Sequence, residues 1–430
     1  MSCLMDGDTP IEFFCDTLEQ EMIESKHRFN IWLCGRRYGK SACLRIRRAI
    51  IALNAQPGQM VWYVAPQYAR AFKEYEIMMS DVEFRNNFVK RKRTQPYPAI
   101  YLNNGVEISF RSFERPDNLL GEGLVECQCD ESQKIPESDF WRVLYPMVMD
   151  QGGSIVLAGT VRGKNWIWAL HEEALKGNTN YKSYIRRTDQ GPSFQDEVGR
   201  ANLAIFRSSM PDDQALQELD CIPILEQDSV FKHLDEAIVN TVPESVPLPG
   251  KRYILSLDIG RVKDPCCVLI GDQFGNVVYV EHFPLGQKHT LSAKRAGELA
   301  AIWRCFHSAV VDVTGGGTGG HANYDEFVKE YRAVLPNMRD FIWSPAHVEQ
   351  QVNHTVLAVE KGKLKIPIQF KLLIQQMRDY RYYFSGYHIR YGACKGSHDE
   401  GPACLVMYNC ALKSNWFSST GSSLKSVLQL

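Results

Sequence analysis

The sequence predicts an α/β protein of two domains, each built around a β-sheet. In the first half of the chain, short apolar runs such as residues 60–65 alternate with helical segments, which is typical of a parallel sheet with crossover helices. Three prolines within residues 242–250 interrupt helix and sheet and indicate a linker. At 430 residues the chain is too long for one compact core. Residues 10–30 and 67–90 are predicted to be helical.

The most informative motif is residues 31–41, Ile-Trp-Leu-Cys-Gly-Arg-Arg-Tyr-Gly-Lys-Ser. An apolar run leads into a glycine-bounded loop, and Lys40 and Ser41 then open an amphipathic segment, which is the order of a phosphate-binding loop. Glycines let backbone N–H groups surround an anion, and the helix N-terminus adds partial positive charge. We expect Lys40 to contact the outer phosphates of ATP and Ser41 to hold Mg²⁺. The predicted nucleotide-binding residues of the loop are Gly35, Arg36, Arg37, Tyr38, Gly39, Lys40 and Ser41.

Two acidic residues follow the β-like run at residues 124–129. Because consecutive side chains of a strand point to opposite faces, one carboxylate can hold Mg²⁺ while the next orients water at the γ-phosphate. We assign Asp130 to Mg²⁺ and Glu131 to the water; a solvated turn is the alternative for this pair taken alone. A later apolar run ends at Thr160, which is either a γ-phosphate sensor or a helix N-cap.

The second half of the chain predicts a ribonuclease-H-like domain. Three β-like runs, a helical segment and a fourth β-like run follow one another, an order that brings Asp258 of the first run beside Asp312 of the fourth. A third acid, Asp399, precedes a late helix. Clustered carboxylates repel one another unless cations neutralise them, and two Mg²⁺ or Mn²⁺ ions roughly 4 Å apart would do so and cut a phosphodiester. The alternative acids, expected in loops or at an edge, are Asp264, Asp272 and Glu281.

Net charge and cysteine content argue against a globally basic DNA-binding protein and against a protein with cysteine-ligated metal or disulfide bonds. The net charge of −1 provides no global basic field, so any DNA contact must come from a local patch. Residues 90–93, Lys-Arg-Lys-Arg, are either such a patch or a solvated loop. The 13 cysteines lack metal-ligand spacing and predict reduced thiols. No apolar stretch is long enough to span a bilayer, which predicts a soluble, cytoplasmic protein.

An ordered set of motifs along nearly the whole chain resembles the large terminase subunits of tailed bacteriophages. The resemblance implies an N-terminal ASCE-type P-loop ATPase with a mainly parallel sheet, followed by a C-terminal ribonuclease-H-like nuclease. The motifs that carry it are Gln20, residues 35–41, Leu119-Leu120-Gly121-Glu122-Gly123, Asp130-Glu131, Gly159-Thr160, Asp258-Ile259-Gly260, Asp312-Val313-Thr314-Gly315 and His398-Asp399-Glu400.

The predicted domains follow from the linker and this resemblance. We expect the ATPase at residues 1–241, with a small helical subdomain at about 195–241, and the linker at 242–250. The nuclease is expected at residues 251–411, and a flexible tail at 412–430.

The resemblance also implies a function. Large terminases drive double-stranded viral DNA into a procapsid through the portal, at the expense of ATP and Mg²⁺, and cut concatemeric DNA with divalent metals. The implied partners are the portal and procapsid, a small terminase subunit and other copies of the same chain in a ring, with five subunits expected. The implied location is the host cytoplasm, with transient docking on the procapsid and no membrane.

Matching positions suggest further roles. Gln20 would lie near the adenine, Arg36 or Arg37 would touch the γ-phosphate, and Thr160 would couple hydrolysis to DNA movement. One position departs from the family, because relatives commonly carry an arginine that acts in trans where this chain has Leu120. The candidate replacements are Arg111, Arg115 or the arginines of the phosphate loop.

Two other functions compete with this interpretation. One is a DNA-dependent ATPase or helicase-like remodeller whose ribonuclease-H-like domain is a non-catalytic scaffold, and it predicts that substitution of Asp258 leaves every activity intact. The other is a transposase or integrase that uses the same three carboxylates. The phosphate loop argues against the latter, since strand transfer of that type needs no ATP.

Overall fold

The computed structural model describes residues 2–6, 9–13, 17–225, 227–260, 265–314, 322–344, 347–385 and 388–414. The chain forms two compact units. The first comprises Met1–Ser208 and Asp212–Leu225, and the second Ser209–Pro211 and Glu226–Leu430.

The first unit is an α/β domain built on one large sheet. Its strands are β1 (Ser2–Asp6), β2 (Thr9–Phe13), β3 (Phe29–Cys34), β4 (Met60–Ala65), β5 (Val89–Arg93), β6 (Ala99–Leu102), β7 (Glu107–Ser112), β8 (Glu126–Asp130), β9 (Ser154–Gly159) and β10 (Tyr181–Arg186). Its helices are α1 (Thr17–Ile23), α2 (Lys40–Asn54), α3 (Tyr68–Ser80), α4 (Val82–Phe88), α5 (Glu137–Asp139), α6 (Tyr145–Met147), α7 (Trp166–Leu175), α8 (Glu197–Ser208) and α9 (Asp212–Glu218).

Eight strands form this sheet in the order β10-β3-β9-β8-β4-β7-β6-β5. Neighbours from β10 to β7 are parallel, and the pairs β7–β6 and β6–β5 are antiparallel. The sheet is therefore mainly parallel, as predicted. One strand, β9, lies between β3, which leads into the phosphate loop, and β8, which ends in the acidic pair, and this inserted strand is the order expected of an ASCE-type ATPase.

Both faces of the sheet are buried, which explains the continuous apolar runs in the sequence. In β4, for example, Tyr63 packs into the hydrophobic core on one face, and its neighbours Trp62 and Val64 pack into the core on the other. The central strands thus have no solvated face. Polar as well as apolar side chains lie at the ends of these strands, along the edge of the sheet.

Two predicted helices differ from those observed. Residues 9–13 form a strand that pairs antiparallel with residues 2–6, and the helix predicted over 10–30 is limited to α1. The prediction was wrong because residues 9–13 also alternate with period two, and Pro10 disfavours a helix interior. The helix predicted over 67–90 is divided into α3 and α4 at Asp81, whose carboxylate accepts a hydrogen bond from the backbone N–H of Phe84 and caps α4.

The second unit is built on a five-stranded sheet in the order β14-β13-β12-β15-β16. The first three strands are antiparallel, and β12, β15 and β16 are parallel, which matches the predicted ribonuclease-H-like arrangement. The strands are β11 (Ile238–Val239), β12 (Tyr253–Asp258), β13 (Cys267–Asp272), β14 (Val277–His282), β15 (Ala309–Asp312), β16 (Arg339–Phe341), β17 (Ile366–Pro367), β18 (Tyr380–Ser385) and β19 (His388–Ala393). The helices are α10 (His289–Ile302), α11 (Ala322–Val334), α12 (Val348–Glu360), α13 (Lys371–Arg378) and α14 (Glu400–Lys413).

The segment predicted as a linker packs within the second unit. Residues 242–250 form neither helix nor strand, yet the Tyr253 hydroxyl donates to Glu244 Oε2 at 2.6 Å, and Lys251 pairs with both Glu244 and Asp272. Residues 226–241, predicted to be part of the helical subdomain, also group with this unit. The predicted tail lies almost wholly outside the described residues. In the described part of the chain no helix is both long and apolar enough to cross a membrane.

Candidate nucleotide site and candidate nuclease site

The phosphate loop lies at the carboxyl edge of the large sheet, between β3 and α2. Along this edge Leu33 of β3 aligns with Gly159 of β9, and Ala158 aligns with Asp130 of β8. The ends of three adjacent parallel strands therefore meet, and ligands of open α/β sheets bind at such an edge. The sequence places the loop, the acidic pair and Thr160 directly after these strands.

The two glycines of the loop are required for different reasons. Gly39 has φ +117°, a left-handed conformation that favours glycine, and a Cβ there would lie 3.1 Å from Glu19 Oε1. At Gly35 the requirement is close packing, since a Cβ would lie 2.4 Å from Thr188 Oγ1 and 2.6 Å from the carbonyl oxygen of Leu219. The loop is thus held by α1 on one side and by the chain after β10 on the other.

Three predicted ligands in the loop have distinct surroundings. The ring of Tyr38 is 1 % exposed and belongs to the hydrophobic core, so only its backbone is available to a nucleotide. Arg36 Nε lies 2.9 Å from Glu218 Oε2, which directs this side chain away from the loop interior. Arg37 is exposed at φ 66° at the loop apex, and no ion pair of Arg37 occurs among the described residues.

Helix α1, which carries Gln20, is anchored beside the loop. Buried Arg47 of α2 donates to the carbonyl oxygens of Ile23 at 2.8 Å and Ser25 at 2.7 Å, just after α1, and pairs with buried Glu126 at 2.7 Å. Gln20 Nε2 donates to Glu24 Oε1 at 2.9 Å. Gln20 therefore lies on the helix whose Glu19 borders Gly39, and its contact with the adenine stays a prediction.

Asp130 is a buried acceptor at the end of β8. Its Oδ2 accepts hydrogen bonds from the Ser41 hydroxyl at 3.3 Å and the Tyr63 hydroxyl at 2.9 Å, and lies 3.0 Å from Arg70 Nη2. Its Oδ1 accepts from the backbone N–H of Glu131 at 3.0 Å. The structure thus brings together Ser41 and Asp130, the two residues predicted to hold Mg²⁺, and their oxygen atoms are ligands of the kind that Mg²⁺ prefers.

Glu131 occupies a left-handed backbone conformation, φ 52°, that turns its side chain toward the loop. Its Oε1 lies 3.6 Å from Lys40 Nζ and 3.3 Å from Arg70 Nη2. Burial alone would raise the pKa of Glu131, but the positive charges of Lys40, Arg70 and Lys134 outweigh burial and lower the pKa. The carboxylate is therefore ionised at neutral pH, the form in which it can accept a proton from water.

Gln133 links Glu131 to Thr160. Its Nε2 donates to Glu131 Oε2 at 2.9 Å and to Thr160 Oγ1 at 3.2 Å. The predicted coupling residue is thus one side chain away from the predicted water-orienting carboxylate.

Sequence analysis missed three residues of this site: Tyr63, Arg70 and Gln133. Tyr63 lies in an apolar strand and Gln133 in a short turn, where neither residue type indicates chemistry. Arg70 stands in the first turn of a helix and resembles a solvated surface residue. The sequence offered one signal for Arg70, and it was topological: α3 follows β4, the strand that neighbours β8.

In the second unit, Asp258 and Asp312 end adjacent parallel strands. Leu257 pairs with Val311, so the two aspartates follow in register at the same edge. Asp399 immediately precedes α14, which packs against β12 and β13 through Cys404, whose thiol donates to the carbonyl oxygen of Cys267 at 3.2 Å. The three predicted acids therefore gather at one place.

The electrostatics of Asp258 reflect this convergence. Burial raises its pKa most, and the negative charges of Asp312 and Asp399 raise it further. A carboxyl group that carries such a penalty for ionisation is stabilised as a carboxylate by divalent cations. The residues present fit a metal site of carboxylate oxygens, the ligand type of Mg²⁺ and Mn²⁺.

A cluster of hydrogen-bonded polar side chains lies next to this acidic site, at the N-terminus of α14. Glu400, next to Asp399, is buried and accepts a hydrogen bond from Gln376 Nε2 at 2.7 Å. The Oε1 atom of Gln376 lies 3.1 Å from His282 Nε2 and accepts from the backbone N–H of Gly401 at 3.1 Å. These contacts fix the N-terminus of α14 and with it the position of Asp399.

The alternative acids lie elsewhere or outside the described residues. Asp272 is at the opposite end of β13 from the residue that pairs with Asp258, and it is held by Lys251 and Asn276. Glu281 pairs with Arg295 at 3.0 Å. Asp264 lies outside the described residues.

This chain has relatives among known proteins over most of its length. No family model matches it. The chain is 23 % identical over 389 residues to the large terminase subunit of Thermus virus P23-45 and 24 % identical to that of Thermus phage G20c, in each case over 81 % of this chain and 77 % of the relative. The chain is a homologue of large terminase subunits. The predicted resemblance is thereby confirmed.

Solved large terminases share the fold. The large terminase from the thermophilic bacteriophage D6E superposes with a TM-score of 0.62 at 13 % identity, over 92 % of this chain and 98 % of that one. Its complex with ADP superposes with a TM-score of 0.58 at 14 % identity, over 91 % and 98 % of the two chains. The predicted fold class, an ATPase unit followed by a ribonuclease-H-like unit, is confirmed.

In this terminase homologue the two candidate trans-acting arginines differ in accessibility. The Arg111 guanidinium is packed over the rings of Trp62, at 4.3 Å, and Tyr97, at 3.0 Å, and the residue is only 9 % exposed. Arg115 is exposed at the start of the short helical turn Pro116–Leu119, close to Leu120. Arg115 is therefore the more accessible of the two.

Proposed function

We propose that this chain is a large terminase subunit that couples ATP hydrolysis to translocation of double-stranded DNA and cuts DNA with divalent metal ions. The observation that carries the proposal is convergence. In one unit Lys40, Ser41, Asp130 and Glu131 meet at one edge of an ASCE-ordered sheet, and in the other Asp258, Asp312 and Asp399 meet at one edge of a ribonuclease-H-like sheet.

In the ATPase unit each side chain has a defined task. Lys40 neutralises the outer phosphates, and Ser41 and Asp130 hold Mg²⁺, which supplies charge neutralisation when bound. Glu131, ionised and hydrogen-bonded by Gln133, accepts a hydrogen bond from the attacking water and orients it. Arg37, exposed at the loop apex, stabilises the charge that develops on the γ-phosphate. Through Gln133, Thr160 responds to the position of Glu131.

Glu131→Gln is expected to bind ATP with little change in affinity but to hydrolyse it about 100-fold or more slowly, because the amide cannot accept the proton of the water. Binding of a fluorescent ATP analogue and phosphate release, measured on the same preparation, separate the two effects. Glu137→Gln, exposed on the helix that follows, is the matched control. Loss of nucleotide binding in Glu131→Gln would show that the carboxylate has a structural role instead.

In the nuclease unit the three aspartates hold two Mg²⁺ or Mn²⁺ ions. Bound there, the ions would supply activation of a water and charge stabilisation for the leaving oxygen of a phosphodiester. The aspartates bind and orient the ions, and the contacts of Glu400 with Gln376 keep Asp399 in place. The clustering of the acids supports a catalytic domain over the scaffold of the remodeller hypothesis, because a scaffold has no use for three converging carboxylates.

Contact with DNA is supported by β5, the edge strand of the large sheet. Lys90, Arg91 and Lys92 are exposed there, and Arg91 is held over the ring of Tyr101 at 3.9 Å. A row of fixed cations on an exposed edge suits the phosphates of double-stranded DNA. The overall charge, near zero, restricts such contacts to this kind of local patch.

The partners follow from the relatives. From the resemblance to large terminase subunits, we propose a homo-oligomeric ring, with five subunits, that docks on the portal of a procapsid in the host cytoplasm. A small terminase subunit would deliver the DNA. The D6E large terminase, whose fold this chain shares, is known in complex with ADP and with ATP-gamma-S, and we propose ATP with Mg²⁺ as the cofactor of the first unit.

Arg115→Ala is expected to lower ATP turnover of the assembled motor by about tenfold or more, because a charge that stabilises the transition state in trans is lost. Turnover should be measured against protein concentration, since a trans effect is seen only when subunits associate. Arg85→Ala, an exposed arginine of α4, is the control. Turnover equal to that of the unmodified chain at every concentration would remove Arg115 from the mechanism.

A further inference from the structure

We propose that Arg70 is an internal counter-cation that competes with Mg²⁺ for Asp130 and Glu131, and so sets the metal requirement of ATP hydrolysis. The inference rests on the proposed ATPase function of this site. It assigns a positioning and regulatory role to a residue of α3 that belongs to none of the recognised motifs of the chain.

The geometry places one nitrogen of Arg70 between the two carboxylates. Its Nη2 lies 3.0 Å from Asp130 Oδ2 and 3.3 Å from Glu131 Oε1. The same Oδ2 atom also accepts from the hydroxyls of Ser41 and Tyr63. With three donors on one oxygen, the metal-binding face of Asp130 is occupied, and a cation that approaches it has to displace the guanidinium.

Burial explains why a counter-cation is needed. Asp130 is 1 % exposed and the side chain of Glu131 is 15 % exposed, so two adjacent negative charges lie largely out of water. Such a pair is unfavourable without a nearby positive charge. Lys40 neutralises the charge of Glu131, 3.6 Å away, but not that of Asp130. In the proposed mechanism Lys40 also has to bind the phosphates. Arg70 is the cation that contacts both carboxylates.

The exposure of Arg70 shows that it can leave. Its side chain is 42 % exposed, so the guanidinium can move into solvent while both acids stay in place. The helix itself need not move, because one turn further along α3 Glu74 pairs with Arg48 at 2.6 Å and with Arg45 at 2.9 Å, both on α2. Release of Arg70 is thus a rotation of one side chain on a fixed helix.

The consequence is a competition. In the nucleotide-free protein Arg70 keeps the acidic pair neutralised and disfavours metal binding without nucleotide. The metal that arrives with ATP brings additional ligands from the phosphates and displaces the guanidinium. Removal of the positive charge should therefore strengthen metal binding, whereas loss of a catalytic arginine would slow hydrolysis without a change in metal affinity.

The test is a Mg²⁺ titration of ATP hydrolysis by the full chain at fixed excess ATP, for the unmodified protein, Arg70→Gln and Arg70→Lys. We expect Arg70→Gln to reach half-maximal rate at about two- to fivefold lower free Mg²⁺, the range that a partly exposed ion pair supports. Arg70→Lys should restore the original requirement. Lys73→Gln, exposed on the same helix, is the matched control and should change nothing.

A second readout does not depend on hydrolysis. Mn²⁺ binding to the nucleotide-free chain, followed by electron paramagnetic resonance in an Asp258→Asn background that disables the metal site proposed for the nuclease unit, should tighten in Arg70→Gln and return to the original affinity in Arg70→Lys. Unchanged Mn²⁺ affinity together with an unchanged Mg²⁺ requirement would overturn the inference, as would a lower maximal rate with the same metal dependence. Failure of the unmodified chain to hydrolyse ATP would instead refute the proposed ATPase function, and the Mn²⁺ titration would still test Arg70.

Discussion

Lys40→Ala is expected to reduce ATP hydrolysis by about 100-fold or more, the size of effect seen when one preorganised charge is removed from a transition state. Lys40 opens α2 at the phosphate loop and lies 3.6 Å from Glu131, so alanine removes both the contact with the phosphates and one of the charges that keep Glu131 ionised. Phosphate release at saturating ATP measures the effect directly.

The controls for this variant separate chemistry from folding. The side chain of Lys40 is 11 % exposed but belongs to neither hydrophobic core of the first unit, so the melting temperature of Lys40→Ala should stay within a few degrees of the unmodified chain. Cleavage of DNA by the second unit should be unaffected. Lys73→Ala, on the neighbouring α3, should hydrolyse ATP normally. Retained turnover in Lys40→Ala would refute the assignment of the phosphate loop.

Asp258→Asn is expected to abolish metal-dependent cleavage of plasmid DNA, a loss of about 100-fold or more, because the amide removes a charged ligand shared by the metal site. The assay uses the full chain with Mg²⁺, with Mn²⁺ and with EDTA. Asp340→Asn, which changes a partly exposed aspartate of β16 that pairs with Arg332, is the control. Cleavage by Asp258→Asn at the original rate would favour the hypothesis of a non-catalytic scaffold.

The same variant has a predicted effect on stability. Burial and the charges of Asp312 and Asp399 raise the pKa of Asp258 above its ordinary value of 3.8, so the folded protein disfavours ionisation of this group. Without metal, this destabilisation of the folded protein is absent at pH values below the ordinary pKa of an aspartate. It grows as the pH rises toward the raised pKa of Asp258 and is complete above that raised pKa. Melting temperatures in EDTA should therefore favour Asp258→Asn increasingly as the pH rises. Added Mn²⁺ should stabilise the unmodified chain more than the variant.

Much of the fold was predictable because the main signals are local. The apolar run at residues 60–65 became β4 with the same bounds. Both sheets have the predicted kind of strand pairing, since an ordered series of strands and helices restricts the possible topologies.

What the sequence could not predict depends on tertiary contacts. Residues 9–13 fit both a helical and an alternating pattern, and they form a strand paired with residues 2–6. The ring of Tyr38 reads as a loop side chain but is buried in the core, and Arg36 is directed away by Glu218, which is distant in sequence. Motif spacing gives the positions of backbone groups around a phosphate, whereas the partners of each side chain come from remote segments.

In the candidate sites, too, some residues could be predicted from motifs and others depend on tertiary contacts. Lys40, Asp130 and Glu131 were predictable because strand order brings the ends of parallel strands to one edge. Arg70 and Gln133, which contact the acidic pair, were not, because neither residue type nor spacing distinguishes them from surface residues. The residues proposed to bind a ligand thus come from motifs, and the residues that contact and position them were found only in the structure.

The most direct test of two independent sites on one chain is a crossed assay of ATP hydrolysis and plasmid cleavage on the unmodified protein, Lys40→Ala and Asp258→Asn. We predict that Lys40→Ala loses hydrolysis and keeps cleavage, that Asp258→Asn loses cleavage and keeps hydrolysis, and that EDTA abolishes both activities of the unmodified protein. Cleavage that survives in Asp258→Asn, or hydrolysis that survives in Lys40→Ala, would contradict the proposed function.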